Sequence, residues 1–251
     1  MAETAIRFDG RVAIVTGAGN GLGRSHALGL AARGAKVVVN DVGSALDGSG
    51  GSGSAADRVV QEIEAAGGAA IADNASVTDF AAVASMVERA KAKWGRIDIL
   101  VNNAGIAHAN LPVEDLPFAV WKDVLATNLD GTFLVTQAAL GLMKRGAIIV
   151  NNLSIAANRV FPGSAAYNAS KHAALGLTNT LREELRSRGI RVTGLLPGAT
   201  DTEIWKTLWP QAPRRKMMSP ATVAQVVLNA ILLPANATTE NIEILPSAGT
   251  L

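Results

Sequence analysis

Short apolar runs and longer amphipathic stretches alternate along the whole chain. The runs predict strands at 12–16, 36–40, 69–72, 97–101, 147–151, 191–196 and 242–245. The amphipathic stretches predict helices at 21–33, 54–66, 80–94, within 118–144, at 164–188 and at 221–232. Apolar strands separated by helices are typical of a parallel sheet covered by helices on both faces. The pattern therefore predicts a doubly wound α/β fold, which binds ligands beyond the carboxyl ends of its strands.

Composition narrows the class of protein. With 49% apolar residues, the 251-residue chain can bury one large core, so residues 1–251 are expected to form a single Rossmann-like domain. A net charge of +2 gives no reason to expect nucleic acid or an anionic membrane as a partner. Without cysteine there is no disulfide, thiolate zinc site or cysteine nucleophile. The three histidines show no metal-ligating spacing, so no catalytic metal is expected.

No long apolar segment is visible in the sequence. The first ten residues lack an apolar signal core, and no apolar run is long enough to span a bilayer. We therefore expect a cytoplasmic protein that acts on a small molecule. The Gly/Ser stretch 43–54 reads as a flexible surface loop.

A glycine-rich loop, TGAGNGLG at 16–23, stands between the first strand and the first helix. Glycines let the backbone approach a pyrophosphate, and a helix N-terminus offers free N–H groups and a positive dipole end. The glycines are spaced GxxxGxG, which differs from the common dinucleotide fingerprint and would also suit an ordinary turn. The order of strand, loop and helix favours a dinucleotide site.

Two further loops point to the same ligand. Asp41 ends the second strand, where a carboxylate can bind the adenosine ribose hydroxyls and repel a 2′-phosphate. Neither Asn20 nor Val42 is basic, so NAD is favoured over NADP, unless Asp41 only begins the turn before Gly43. The loop NNAG at 102–105 suits a flat ligand, although it could also be a simple turn.

Four polar side chains are candidates for the chemistry. Tyr167, the only tyrosine, and Lys171 share one face of the most periodic helical stretch, near its N-terminal end. An ammonium beside a phenol predicts a lowered tyrosine pKa and a working acid/base, although such a pair is often a surface contact. Ser154 follows the fifth strand and can bind a substrate oxygen, or serve only as a loop or cap group. Asn128 lies in helical sequence, where asparagine is disfavoured, so a role such as holding a water toward Lys171 is expected.

Together these motifs resemble the short-chain dehydrogenase/reductases of the compact, single-domain branch. The matching features, in order and spacing over about 7–202, are TGAGNGLG (16–23), NNAG (102–105), Asn128, Ser154, YNASK (167–171) and PG (197–198). The resemblance implies that Tyr167 is the general acid/base and that Ser154 polarises the carbonyl. It implies that Lys171 holds the nicotinamide ribose and lowers the tyrosine pKa. Asn128 would anchor the water of a proton relay.

The resemblance also implies the cofactor contacts and the assembly. The predicted cofactor-binding residues are Gly17, Asn20, Gly21, Leu22, Gly23, Asp41, Ser76, Val77, Asn103, Ala104, Gly105, Tyr167, Lys171, Pro197, Gly198, Thr200 and Thr202. Family members often carry an aspartate near the adenine, where Ser76 stands here, with Asp73 close by. The family expectation is a homotetramer, with a dimer as the alternative. The valine-aspartate-diglycine segment that often packs between subunits is absent from 244–249.

The segment 199–218 is the predicted substrate lid. Its bulky apolar residues, Trp205 and Trp209 among them, favour a hydrophobic substrate, unless they fill the core or a subunit contact. A narrower resemblance connects VVVND (37–41), the Gly/Ser insertion and AADRVV (55–60) with the (3R)-hydroxyacyl-CoA dehydrogenase part of peroxisomal multifunctional enzymes. In that alternative, the basic triplet 214–216 would meet a phosphorylated carrier.

The leading interpretation is an NAD(H)-dependent oxidoreductase that interconverts a secondary alcohol and a ketone. The alternative within this chemistry is a (3R)-hydroxyacyl-CoA dehydrogenase. The alternative of another class is a non-catalytic dinucleotide-binding protein. Loss of catalysis would usually appear as loss of Ser154, Tyr167 or Lys171, and all three are present.

Overall fold

The computed structural model describes residues 7–43, 54–234 and 236–249. In this part of the chain, one parallel sheet has the strand order β3-β2-β1-β4-β5-β6-β7. Its strands are β1 (Val12–Thr16), β2 (Lys36–Asn40), β3 (Ala69–Asp73), β4 (Ile97–Asn102), β5 (Met143–Asn152), β6 (Arg191–Pro197) and β7 (Asn241–Ile244). The order reverses between β1 and β4, which confirms the predicted doubly wound α/β fold and places its switch point there.

Helices connect successive strands. They are α1 (Gly21–Ala31), α2 (Ser54–Ala65), α3 (Phe80–Trp94), α4 (Phe118–Leu125), α5 (Gly131–Ala139), α6 (Ala165–Arg186), the short α7 (Trp205–Leu208) and α8 (Pro220–Ile231). A π-helical turn at Ala126–Asp130 joins α4 to α5. Within the described residues, no helix has the length and apolar character that a membrane span requires.

Two apolar layers enclose the sheet because successive strand residues point to opposite faces. Val15 belongs to the layer that contains Leu30 of α1 and Val227 of α8. Its neighbour Ile14 belongs to the other layer, with Met86 of α3. All five residues of β1 are buried, as the continuous apolar run predicted.

Most predicted boundaries agree with the structure within two residues, but the region before β5 differs. The predicted helical region 118–144 ends at Ala139, and β5 begins at Met143 rather than at residue 147. Residues 144–146 are exposed and polar, and Gly146 has a φ of +89°. This irregular strand start carries no apolar alternation, so the pattern did not indicate it. The proposed flexible loop at 43–54 lies, for residues 44–53, outside the described residues.

Candidate active site

A cavity of about 780 Å³ opens beyond the carboxyl ends of β1, β4, β5 and β6. Its walls contain every residue predicted to bind the cofactor, and also Ser154, Trp205 and Trp209. Asn128 is not in the wall and lies buried behind Ile106. The strand ends therefore bring the predicted site residues to one place.

The glycine-rich loop forms a cradle that side chains would fill. Gly17 has a φ of +60°, which favours glycine. A Cβ on Gly23 would lie 2.1 Å from the Gly17 carbonyl oxygen, so the loop and α1 require glycine to approach each other. Helix α1 has no side-chain cap from Asn20 and no acidic residue in its first turn. Its first N–H groups and positive dipole end thus suit a pyrophosphate.

The Asp41 carboxylate is fixed by two backbone donors at the end of β2. Its Oδ2 accepts a hydrogen bond from Gly19 N at 2.8 Å, and its Oδ1 accepts one from Gly43 N at 2.7 Å. Asp41 therefore does shape the turn before Gly43, as the alternative interpretation had it. It also lines the cavity, and a carboxylate keeps further lone pairs for ribose hydroxyls.

The structure separates the two candidates beside the adenine position. Ser76 lines the cavity and its Oγ lies 2.8 Å from Thr78 Oγ1. Asp73 is buried, and its Oδ1 accepts hydrogen bonds from Asn40 Nδ2 and Ala75 N, each within 2.9 Å. Its other oxygen is paired with Arg89. Asp73 thus holds the ends of β2 and β3 together, while Ser76 lines the cavity.

A chain of amides connects the glycine-rich loop to Lys171. Asn103 Nδ2 donates to the carbonyl oxygens of Thr16 at 2.9 Å and Gly17 at 3.0 Å. Its Oδ1 accepts from Asn152 Nδ2 at 2.7 Å. The Asn152 carbonyl oxygen in turn accepts from Lys171 Nζ at 3.1 Å. Asn152 was missed by sequence reasoning, because only its position two residues before Ser154 signals it.

Burial shifts the pKa values of the two ionisable candidates for the chemistry, Tyr167 and Lys171. Burial raises the pKa of the Tyr167 phenol above its ordinary value, and a hydrogen bond with Ser154 lowers it by less. Burial also lowers the pKa of the Lys171 ammonium from 10.5 to about 8. Lys171 Nζ lies 5.6 Å from the centre of the Tyr167 ring. The predicted lowering of the tyrosine pKa is therefore wrong for the protein alone, because desolvation outweighs the hydrogen bond with Ser154.

Asn128 uses its amide to fasten the loop after β4 to helix α6. Its Oδ1 accepts from Ile106 N at 2.8 Å, and its Nδ2 donates to Ile106 O and to Ser170 Oγ, both at 3.0 Å. Ser170 Oγ then donates to the Tyr167 carbonyl oxygen at 2.8 Å. The π-helical turn places this asparagine where a regular helix would not, as is common near functional sites.

A second set of buried amides and hydroxyls joins β4 and β5 to the helices on one face. Asn102 Nδ2 donates to Thr136 Oγ1 and to Asn151 Oδ1, each at 2.9 Å. Asn151 Nδ2 donates to Thr178 Oγ1 at 2.9 Å. We call these four residues the amide ladder. It ties α5 and α6 to β4 and β5, the strands that lead into the loops carrying Asn103 and Ser154.

The predicted lid forms one wall of the cavity. Trp205 Nε1 donates to the Thr200 carbonyl oxygen at 2.8 Å, which fixes α7 against the end of β6. Trp209 lines the cavity and remains 43% exposed. Met218, at the end of the lid, is buried in the core instead. Further apolar lining residues that the sequence did not single out are Ile106, Leu153, Ile155 and Phe161.

The basic triplet 214–216 lies outside the cavity. In the basic triplet, Arg214 pairs with Asp201, while Arg215 and Lys216 are exposed. None of the three lines the cavity. Among the described residues, no group of three or more histidine, aspartate or glutamate side chains could hold a metal ion.

The glycine cradle, the acidic end of β2 and the Ser-Tyr-Lys group together suggest a nicotinamide-dependent oxidoreductase, and comparison with known proteins decides the family. A family model described as short chain dehydrogenase matches residues 11–213. The chain belongs to the short-chain dehydrogenase family. As a member of that family, it is an oxidoreductase acting on CH–OH and C=O groups.

Two curated relatives of this short-chain dehydrogenase are informative. It is 45% identical over 201 residues to the peroxisomal multifunctional enzyme type 2 of Drosophila melanogaster, covering 79% of this chain and 33% of the relative. The chain thus spans about a third of that relative's length. It is 41% identical over 200 residues to a 3-oxoacyl-[acyl-carrier-protein] reductase of Synechocystis, covering 79% of this chain and 77% of the relative.

Solved structures share the whole fold. A dehydrogenase/reductase from Sinorhizobium meliloti has a TM-score of 0.87 at 32% identity, covering 98% of this chain and 97% of that one. A short chain dehydrogenase from Burkholderia cenocepacia in complex with NADP has a TM-score of 0.85 at 31% identity, covering 96% and 99%. A 3-ketoacyl-(acyl-carrier-protein) reductase from Brucella melitensis complexed with NADH has a TM-score of 0.81 at 31% identity, covering 95% and 98%.

Proposed function

We propose that this short-chain dehydrogenase is an NAD(H)-dependent enzyme that interconverts a secondary alcohol and a ketone on a hydrophobic substrate. One observation carries the proposal. Ser154, Tyr167 and Lys171 line the same cavity as the glycine-rich loop. The groups proposed for the chemistry and the loop proposed to bind the cofactor therefore face the same cavity. The apolar lid residues Trp205 and Trp209 in that wall support a hydrophobic substrate.

The proposed mechanism assigns one role to each polar group. In reduction, the Tyr167 hydroxyl donates its proton to the substrate carbonyl oxygen, and in oxidation the phenolate takes the proton back. Ser154 Oγ donates a hydrogen bond to the same oxygen and stabilises its developing charge. Lys171 lines the cavity beside Tyr167 and would hold the nicotinamide ribose. The nicotinamide, when bound, supplies or accepts the hydride.

Asn128 completes the proposed proton path. It would anchor the water that links Lys171 to solvent. Its amide, held by Ile106 and Ser170, keeps the π-helical turn in place for this role. The role of Asn128 is therefore to position a water rather than to contact the substrate.

NAD is the proposed cofactor. The Asp41 carboxylate at the cavity wall would bind the ribose hydroxyls and repel a 2′-phosphate, and no basic side chain stands at Asn20 or Val42. Similar structures contain either NADP or NADH, so this preference rests on Asp41. If the wild-type enzyme prefers NADPH over NADH, the assignment of Asp41 is wrong.

Replacing Tyr167 with phenylalanine tests the acid/base role. The variant keeps the ring and loses only the hydroxyl, so turnover should fall to background while NADH binding stays nearly intact. A panel of secondary alcohols and ketones, followed at the NADH absorbance band with both cofactors, supplies the activity. Retained turnover in the variant contradicts the role. NADH binding without turnover of any panel member by the wild type would favour a non-catalytic dinucleotide-binding protein.

A (3R)-hydroxyacyl-CoA dehydrogenase is the second candidate, because of the relatives that the chain resembles. One is a peroxisomal multifunctional enzyme at 45% identity, and another acts as a 3-oxoacyl-[acyl-carrier-protein] reductase at 41% identity. The exposed Arg215 and Lys216 would then meet the phosphates of the carrier. Oxidation of (3R)- but not (3S)-hydroxyacyl-CoA, faster than of simple secondary alcohols, would select this candidate.

Several properties stay predictions. That residues 1–251 form one domain, that four copies assemble, and that the enzyme works in the cytoplasm follow from sequence and resemblance alone. Sedimentation or gel filtration with light scattering measures the assembly, and cell fractionation measures the location.

A further inference from the structure

The backbone conformation of Gly19 in the glycine-rich loop does not explain why glycine stands there. Its φ is not among the left-handed values that the described glycines Gly17 and Gly21 adopt. The backbone φ of Gly19 therefore does not itself call for glycine. The requirement for glycine must come from what lies next to it.

The space beside Gly19 is filled by a carboxylate and a helix. A Cβ built on Gly19 would lie 2.8 Å from both Cγ and Oδ2 of Asp41, and 2.7 Å from the Cβ of Ala55. Ala55 is buried in the first turn of α2, so it cannot give way cheaply. The backbone N–H of Gly19 donates to that same Asp41 Oδ2 at 2.8 Å. A side chain here would push the carboxylate away from the donor that fixes it.

We propose that Gly19 is a positioning residue for cofactor specificity. Its missing side chain lets the Asp41 carboxylate seat against the loop, where the charge excludes a 2′-phosphate. This inference rests on the proposed NAD preference. It assigns to Gly19 a selectivity role distinct from that of Gly23, whose missing side chain serves the approach of α1 to the loop.

The Asp41 carboxylate can exclude a phosphate only while it is held at a fixed place. Two backbone N–H groups, from Gly19 and Gly43, hold the Asp41 carboxylate in place at the cavity wall. A phosphate beside a fixed carboxylate is repelled strongly at close range, and the repulsion falls as the charges separate. An alanine methyl at position 19 would displace the Asp41 carboxylate. The carboxylate would then lose its hydrogen bond from the residue 19 N–H and its fixed position at the cavity wall. Binding of NADPH should then improve relative to NADH.

The test compares dissociation constants, so it does not depend on substrate. Fluorescence titration gives the Kd of NADH and of NADPH for wild type, Gly19→Ala, Asp41→Ala and the double variant. The ratio of the NADPH Kd to the NADH Kd should fall about tenfold in each single variant, the scale of one hydrogen bond to a charged group. The double variant should show no further fall than Asp41→Ala, because both changes act through one carboxylate.

Gly141→Ala is the matched control. A Cβ at Gly141 meets nothing within 4 Å, so its ratio should equal that of the wild type. If Gly19→Ala does not fold, the same comparison is made with Ala55→Gly added, which removes the contact with α2 and keeps the one with Asp41. In that background the ratio must still fall.

The outcomes separate the two proposals. An unchanged ratio in Gly19→Ala, with a lowered ratio in Asp41→Ala, overturns the role of Gly19. Equal weakening of both cofactors in Gly19→Ala also overturns it, because that result marks a structural role only. An unchanged ratio in Asp41→Ala refutes Asp41 as the source of the preference, and a wild-type NADPH Kd below the NADH Kd refutes the proposed NAD preference itself.

Discussion

Replacing Lys171 with methionine should stabilise the protein while it abolishes turnover. The Lys171 side chain is buried, with its ammonium donating to the Asn152 carbonyl oxygen at 3.1 Å. Burial lowers the pKa of this ammonium from 10.5 to about 8. At about 1.4 kcal/mol for each pKa unit, burial of the charge costs about 3 kcal/mol. Loss of the charged hydrogen bond to Asn152 offsets about 2 kcal/mol, which leaves a gain of about 1 kcal/mol.

The gain should depend on pH in a defined direction. Because the folded pKa of about 8 lies below the unfolded value of 10.5, the unfolded chain binds more protons between these pH values. The wild type therefore gains stability relative to the variant as the pH rises through this window. The advantage of Lys171→Met is complete below pH 8 and shrinks by about 3 kcal/mol toward pH 10.5.

Denaturant unfolding at pH 7 and pH 10, followed by circular dichroism, measures both effects. A gain of about 1 kcal/mol corresponds to a rise in Tm of about 2–4 °C for a chain of this size. The matched control is Lys144→Met at an exposed position, where a change within about 0.5 kcal/mol is expected at either pH. A variant less stable than wild type at pH 7, or a difference that does not shrink with pH, refutes the reasoning.

Three further predictions use other features of the structure. His26 is fully buried with neither ring nitrogen hydrogen-bonded, and burial lowers its pKa from 6.5 to about 4. His26→Leu should therefore raise the free energy of unfolding at pH 7 by about 1–3 kcal/mol. Because the folded pKa lies below the unfolded one, that advantage should grow by about 3 kcal/mol from pH 6.5 to pH 4. A stability difference between His26→Leu and wild type that stays flat over this pH range would contradict the account. Gly23→Ala should raise the NADH Kd at least about tenfold, since the loss of one hydrogen bond to a charged pyrophosphate is of that scale. Gly176→Ala, with open space around its Cβ, should leave the NADH Kd unchanged and add up to about 1 kcal/mol of stability. Equal NADH affinity in Gly23→Ala and wild type would mean that the loop does not hold the cofactor. Trp209→Ala should raise KM for bulky apolar substrates more than for small ones, and equal KM changes would assign the side chain to packing.

Apolar periodicity predicted the fold because this sheet is buried on both faces. Val12–Thr16 is entirely buried and reads as an unbroken apolar run, so its position needed no tertiary information. The start of β5 could not be predicted in this way. Residues 143–146 pair irregularly with β4, and their exposed Lys144 and Arg145 resemble the end of a helix.

The candidate site was predictable where a motif carries its own chemistry. Tyr167 and Lys171 needed only helical spacing to be placed on one face. Asn152 was missed because its contacts, the Asn103 amide and the Lys171 ammonium, come from distant parts of the chain. The predicted direction of the Tyr167 pKa shift was wrong. The sequence shows a neighbouring charge, but it does not show how completely the phenol ring is buried.

The amide ladder has a consequence for how the two central strands align. Apolar side chains are interchangeable partners, so packing alone tolerates a strand that slides along its neighbour by two residues. Such a slide would move Asn151 about 7 Å from Asn102, and a slide by one residue would turn it to the opposite face. Either shift would leave buried amide groups without a hydrogen-bond partner, at a cost of about 1–3 kcal/mol for each lost partner. The amide ladder therefore selects one alignment of β4 with β5. That alignment in turn sets the positions of Asn103 and Ser154.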